Sequence, residues 1–348
     1  MGRIVLVTGV SGAVGERFAR RIAADPAVER VVGVDAALPQ ADLGPVGFVR
    51  ADIRTPVIAE VITDQDVDTV VHLSVQSSGS GSSGSGSSRV GGSRASVKEH
   101  NVIGTMQLLG ACQRAPGLER LVVKSSSAVY GSSSRDPAMF TEDMSAKRQP
   151  KSGYAKDIIE VEGYVRGFAR RRPEVAVTVL RAANVIGPTV STPLTSYFRL
   201  PVVPTVLGYD ARLQLVHEDD LLDALRHATL DGASGTFNLA GDGVLMLSQA
   251  LRRLGRPTVA VPGPLLSAAS TVTRPAAVRR IESELLGFLK YGRGLDTSHL
   301  HARLGFTPSY TTADAFADFA RTVAPATLTR RTALSELPMA AGTGDDGG

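Results

Sequence analysis

Short, uninterrupted apolar runs recur through the first two-thirds of the chain, each followed by a longer stretch with apolar positions at helical spacing. Ile4, Val5, Leu6 and Val7 form the first run, and Phe18 and Ile22 lie on one face of the helix expected after it. A run of this length, closed by a glycine-rich turn, predicts a buried strand. Further buried strands are expected over 30–35, 47–53, 69–73, 121–125 and 175–181, the last after a long amphipathic helix. Strands that are apolar on both faces and alternate with helices predict an α/β fold built on a doubly wound parallel sheet. From about Gly187 the pattern loosens into segments punctuated by Pro and Gly, with short helices expected over 248–254 and 312–323. The organisation expected is a sheet domain over 1–186, a smaller substrate lobe over 187–324 completed by the C-terminal helix, and a mobile tail over 325–348.

The turn after the first strand carries chemistry. Thr8-Gly9-Val10-Ser11-Gly12-Ala13-Val14-Gly15 has the order strand, glycine-rich turn, helix. Gly9 permits a tight turn, Gly12 lets the backbone approach a pyrophosphate, and Gly15 lets helix and strand pack closely. Ser11, Ala13 and Val14 complete the cradle, whose free N–H groups and positive dipole end suit phosphate. Twenty residues past Gly15, Asp35 closes the second strand. A carboxylate there accepts hydrogen bonds from ribose hydroxyls and repels a 2′-phosphate, so NAD is expected over NADP. These are the two halves of a Rossmann-type dinucleotide site. Ligands on such sheets bind beyond the strand carboxyl ends, where Leu73, Ser126 and Asn184 also fall.

Composition narrows the class. A chain of 348 residues holds one large α/β domain with an appendage. Cys112 is the only cysteine, and its apolar neighbours suggest a buried helix position. No internal disulfide is therefore possible, and a reducing cytoplasm fits. No apolar run is long enough to span a bilayer, so no membrane association is expected. The net charge of +4 sits in clusters such as Arg170-Arg171-Arg172 without a nucleic-acid recognition motif, and no nucleic-acid partner is expected. His217 with Glu218, Asp219 and Asp220 reads as a capped helix start, and no metal is expected. Residues 77–88 contain only Ser and Gly. They predict a flexible coil with a reach of roughly 20 Å. A natural surface loop, a gating loop and an engineered linker all share that composition.

Beyond the glycine turn, the chain resembles the extended short-chain dehydrogenase/reductases, in the NAD-dependent epimerase/dehydratase branch that includes UDP-glucose 4-epimerase. The likeness spans roughly residues 3 to 322. It rests on Ala51-Asp52-Ile53, His72-Leu73, Asn101-Val102-Ile103-Gly104-Thr105, Ser125-Ser126-Ser127-Ala128-Val129-Tyr130-Gly131, Leu180-Arg181-Ala182-Ala183-Asn184-Val185-Ile186-Gly187-Pro188 and Gln214-Leu215-Val216-His217-Glu218-Asp219-Asp220. The resemblance implies NAD as cofactor, with Asp52 and Ile53 at the adenine and Asn101 supporting the active-site backbone. It places Ser127, Asn184 and Arg212 on the side of a nucleotide-sugar substrate. It also implies a homodimer through the helices that start near Val97 and Tyr154.

In that family a tyrosine takes the proton of a sugar hydroxyl while a serine holds the same oxygen. Tyr154 and Ser126 match these two, with Ser127 a close alternative to Ser126. A phenol is a weak base at neutral pH, and the family lowers its pKa with a lysine four residues on. Here that position is Ile158. Lys156 would point about 200° around the helix from Tyr154. Lys124 shares a strand face with Ser126, as rescuer, as half of a structural ion pair or with an end that snorkels out, and Lys151 precedes the tyrosine. Two functions follow as expectations: a nucleotide-sugar epimerase, or a dinucleotide-binding sensor or accessory protein with degenerate catalysis. Dehydration is disfavoured, since Ala128 follows Ser127 where the family's dehydratases carry an acidic pair.

Overall fold

The structure, a computed structural model, describes residues 2–75, 94–150, 153–263 and 283–323. The Gly/Ser run 77–88, Lys151 and the expected tail lie outside the described residues. Strands β1 (Arg3–Thr8), β2 (Val28–Asp35), β3 (Gly47–Arg50), β4 (Thr69–His72), β5 (Arg120–Ser126) and β6 (Ala176–Ala182) build most of the large sheet. The chain then forms β7 (Asn184–Ile186), β8 (Val203–Val206), β9 (Arg212–Leu213) and β10 (Leu215–His217), and returns to the sheet with β11 (Gly235–Leu239). The seven strands lie in the order β11-β6-β5-β4-β1-β2-β3, every pair parallel. β1 is an interior strand, with Leu6 in register with Val32 on one side and Val70 on the other. The order reverses between β1 and β4, which opens a crevice at their carboxyl ends.

Helices cover both faces. α1 (Ala13–Ala23) buries Gly15, Phe18, Ala19 and Ile22, the face its sequence spacing requires. α2 (Val57–Asp64), α3 (Arg94–Lys98), α4 (Gly104–Arg114), α5 (Tyr154–Arg171), α6 (Pro193–Phe198) and α7 (Glu218–Leu230) follow. The lobe adds α8 (Leu247–Leu254), α9 (Ser283–Tyr291) and α10 (Thr312–Arg321). Between α3 and α4, residues Glu99–Ile103 widen into a π turn, and the Thr105 hydroxyl donates to the Asn101 carbonyl at 2.6 Å. Cys112 is buried in α4, and burial pushes its thiol up to about 12, so it is inert as a nucleophile.

Two apolar cores result. One fills the sheet and its helices; the other lies in the lobe, where Phe198 meets Phe316 edge to face at 5.2 Å. Three details depart from the expected pattern. β3 ends at Arg50, because the Asp52 carboxylate accepts from the Arg54 N–H and bends the chain. α5, expected from sequence to run to Val165, continues to Arg171, after which Arg172 donates to the carbonyls of Cys112 and Ala115 at the end of α4. β11 and α7 lie past Gly187 in sequence yet pack in the sheet core.

Candidate active site

The glycine turn takes its shape from steric demands inside the chain. Gly9 has φ +80°, and a Cβ there would lie 2.8 Å from the Ser74 Cα. A Cβ on Gly15 would lie 2.1 Å from the Gly9 carbonyl oxygen. Only glycine fits at either position. Gly12 differs, since its Cβ would meet nothing closer than 3.5 Å within the protein. Its missing side chain therefore leaves room for something outside the chain. That is the clearance a pyrophosphate over the start of α1 needs, so the turn fits a dinucleotide.

Asp35 holds the turn from the end of β2. Its carboxylate accepts from the Ser11 N–H and from the Ala37 N–H, both at 3.1 Å, while the Ser11 hydroxyl donates to the Ala37 carbonyl at 2.6 Å. Two acceptor positions on the carboxylate remain for hydroxyl donors. One consequence is testable. Gly15→Ala forces a methyl into the Gly9 carbonyl, which costs about 1–3 kcal/mol in overpacking. It lowers the melting temperature and weakens binding of NADH followed by fluorescence. Unchanged melting and affinity would refute this reading of the turn.

At the end of β5, Ser126 precedes a single tight turn, Ser127–Tyr130, and its hydroxyl accepts from the Ala128 N–H at 3.2 Å. Tyr154 opens α5 directly after Gly153, whose φ of +89° admits the abrupt entry. Tyr154 and Ser126 line the same cavity. Burial holds the phenol above its ordinary value; the Glu284 carboxylate, and then that of Asp157, push the same way, while the nearby Ser126 side chain opposes them. Glu284 comes from α9 and accepts from the Ala155 N–H at 3.3 Å, at the positive end of α5. Asp157 is buried and accepts from the Asn101 amide at 3.1 Å.

No cation replaces the missing lysine on the helix. Ile158 is fully buried in the sheet core. Lys156 is half-buried and pairs with Glu160 at 3.8 Å. Lys124 is partly buried and faces the same cavity as Ser126 and Tyr154; burial pushes its ammonium below the ordinary lysine range.

These groups line one cavity of about 420 Å³ beyond the strand carboxyl ends. Of the residues expected from sequence, Gly9, Ser11, Gly12, Ala13, Val14 and Gly15 border it, with Asp35 and Leu73. Ser126, Tyr154 and Asn184 close its far side. Asp52, Ile53, Asn101, Ser127 and Arg212 do not line it. The Arg54 guanidinium, 2.6 Å away, holds the Asp52 carboxyl below the usual carboxylate range. Ile53 is buried against Gly104. Asn101 stands on the π turn, and Ser127 accepts from Arg293 at 3.1 Å. Arg212 lies in β9, where its carbonyl accepts from the Arg293 N–H at 3.1 Å.

Sequence reasoning missed three contributors. Glu284 and Arg293 reach the cavity from the lobe, far along the chain and without a motif. Burial lowers the Arg293 guanidinium to about 10, and it also donates to the Gly131 carbonyl at 3.0 Å and the Ser132 hydroxyl at 3.1 Å. Residues 189–194 form the third wall. Thr192 caps α6 there, a signal that Thr192-Pro193 with Thr195 already carried. Glu218 pins this wall by accepting from the Thr189 N–H at 3.0 Å and pairing with Arg17 at 2.9 Å.

The comparisons with known proteins agree with this architecture. The protein Rv0501 of Mycobacterium tuberculosis (strain H37Rv), itself uncharacterized, is 48% identical over 323 residues, which is 92% of this chain and 84% of that protein. UDP-glucose 4-epimerase 2 of Oryza sativa subsp. japonica is 29% identical over 201 residues, covering 53% of this chain and 45% of the plant protein. Among solved structures, MoeE5 in complex with UDP-glucuronic acid and NAD aligns with a TM-score of 0.69 at 23% identity, covering 94% of this chain and 99% of MoeE5. UDP-glucuronic acid 4-epimerase from Bacillus cereus in complex with NAD aligns at 0.65 with 17% identity, covering 92% of this chain and 98% of that one. At such identities the structural likeness speaks for the fold. Residues 5–240 match the sequence profile of one family, and on that match the chain belongs to the NAD dependent epimerase/dehydratase family.

Proposed function

We propose that this protein is an enzyme that exchanges hydride between NAD and a hydroxyl-bearing carbon of a nucleotide sugar, with 4-epimerisation as its default reaction. The observation that carries the reading is that Ser126 and Tyr154 line the same cavity as the glycine turn and Asp35. When bound, NAD supplies the reversible hydride acceptor. The turn from Gly9 to Gly15 would hold its pyrophosphate and Asp35 its adenosine ribose. Tyr154 takes the proton of the sugar hydroxyl, and Ser126 fixes that oxygen by hydrogen bonding. The same Tyr154 returns the proton, so one hydroxyl serves both halves of an epimerisation. Asn184 and residues 189–194 border the part of the cavity left for the sugar nucleotide. Ile103, Met106 and Tyr164, exposed on the π turn, α4 and α5, suit the homodimer expected of the family.

A second reading has its own support. Ile158 is buried where a lysine would activate Tyr154, which suits a dinucleotide-binding protein without turnover. Absorbance at 340 nm separates the two when NAD-loaded protein meets a panel of nucleotide sugars, with an Ile158→Lys variant run in parallel. The enzyme reading predicts NADH formation by the unmodified protein. Signal from the variant alone would establish the degenerate reading.

A further inference from the structure

The unused charge in this cavity is on strand β5. Lys124 stands two residues before Ser126, so both side chains leave the same face of the strand, with Cα atoms roughly 7 Å apart. Lys124 borders the cavity together with Ser126 and Tyr154. Among the described residues it has no hydrogen-bond or ion-pair partner, and burial is the one cause that acts on its pKa. The structural ion pair that would explain a lysine in an otherwise apolar strand is therefore not present among them. Leu121, Val122 and Val123 on the same strand are almost fully buried. An unpartnered ammonium in such a place costs folding free energy, and a residue kept at that cost points to a ligand.

Building on the hydride-exchange reading, we propose that Lys124 supplies the positive charge that Ile158 cannot. Its flexible four-carbon stem leaves the strand face that also carries Ser126 and borders the shared cavity, where a family lysine would instead come from the helix. There the ammonium engages the ligand and favours the phenolate of Tyr154, whose own proton passes to solvent before the phenolate takes the proton of the sugar hydroxyl. The position carries an electrostatic consequence for the cofactor that does not depend on turnover. A fixed cation beside the reacting carbon disfavours oxidised nicotinamide, which is itself cationic, relative to the neutral reduced form.

The test compares the full-length protein with Lys124→Met and Lys124→Arg. NADH affinity is read by fluorescence, NAD affinity by competition, and melting temperature by circular dichroism. The unmodified protein binds NADH more tightly than NAD. Lys124→Met lowers that preference about tenfold, a change of the size one partly screened charge produces. Lys124→Arg preserves it. Lys124→Met melts no lower than the parent, since it removes a buried charge that has no partner. An unchanged preference in Lys124→Met overturns the proposal, and so does a large fall in its melting temperature with the preference intact. Failure of the unmodified protein to bind either form would instead overturn the NAD reading beneath it.

Discussion

Tyr154→Phe lowers hydride exchange by roughly two to four orders of magnitude while the protein stays folded. The substitution removes one hydroxyl from a ring that keeps its packing against the sheet core. Loss of a single polar group of this kind costs at most about 0.5–1.5 kcal/mol, so melting shifts by only a few degrees. The kinetic loss falls on kcat with KM nearly unchanged, because the missing group acts on the transferring proton. The pH profile has a defined sign. Burial, Glu284 and Asp157 hold the Tyr154 phenol above its ordinary value, so it is protonated at neutral pH. A step that needs the phenolate therefore speeds up as pH rises through 7 to 9. Single-turnover kinetics across pH checks both statements. A Tyr154→Phe enzyme that keeps a third of the parental rate would remove Tyr154 from the chemistry.

Glu162→Ala destabilises the protein by about 3–5 kcal/mol, the cost of stranding a buried charge. Glu162 and Arg181 are both almost fully buried and meet at 2.7 Å. The Ser125 hydroxyl donates to the same carboxylate at 2.5 Å. Arg181 also donates to the Tyr130 hydroxyl and the Glu142 carbonyl, both at 2.8 Å, and Tyr130 donates to Asn238 at 2.7 Å. The network binds α5, β5, β6 and β11 behind the site, with Ser125 next to Ser126 in the strand. Loss of Glu162 leaves the Arg181 guanidinium without its anion, and the strand end that carries Ser126 loosens. Denaturant unfolding measures the effect directly. A change below 1 kcal/mol would show that the network is not the support described.

The fold was largely legible because its strands are apolar on both faces and the glycine turn is a steric necessity. Gly9 and Gly15 could be read from spacing alone, since each has no room for a methyl. The face of α1 was equally plain in Phe18 and Ile22. β11 escaped because Gly235, Thr236 and Asn238 interrupt its apolar character, and Asn238 is buried by bonding to Tyr130. The cavity's lobe side was harder still. Glu284 and Arg293 lie more than a hundred residues from Tyr154, and only tertiary packing brings them to it. Lys124 shows the opposite case. Period-two geometry placed it on the Ser126 face, but whether it had an ion-pair partner depended on neighbours that sequence does not reveal.

The central claim is that this cavity moves hydride between a sugar carbon and NAD. The most direct measurement incubates the NAD-loaded protein with UDP-hexoses deuterated at C4 and analyses the released cofactor and sugar by mass spectrometry. The account predicts deuterium on the cofactor when the reaction is quenched within a turnover, its return to C4 of the inverted epimer afterwards, and neither in Tyr154→Phe. A sugar whose C4 configuration never changes, with NAD bound throughout and no deuterium on the cofactor at any time, would contradict it and leave a protein that holds the dinucleotide without using it.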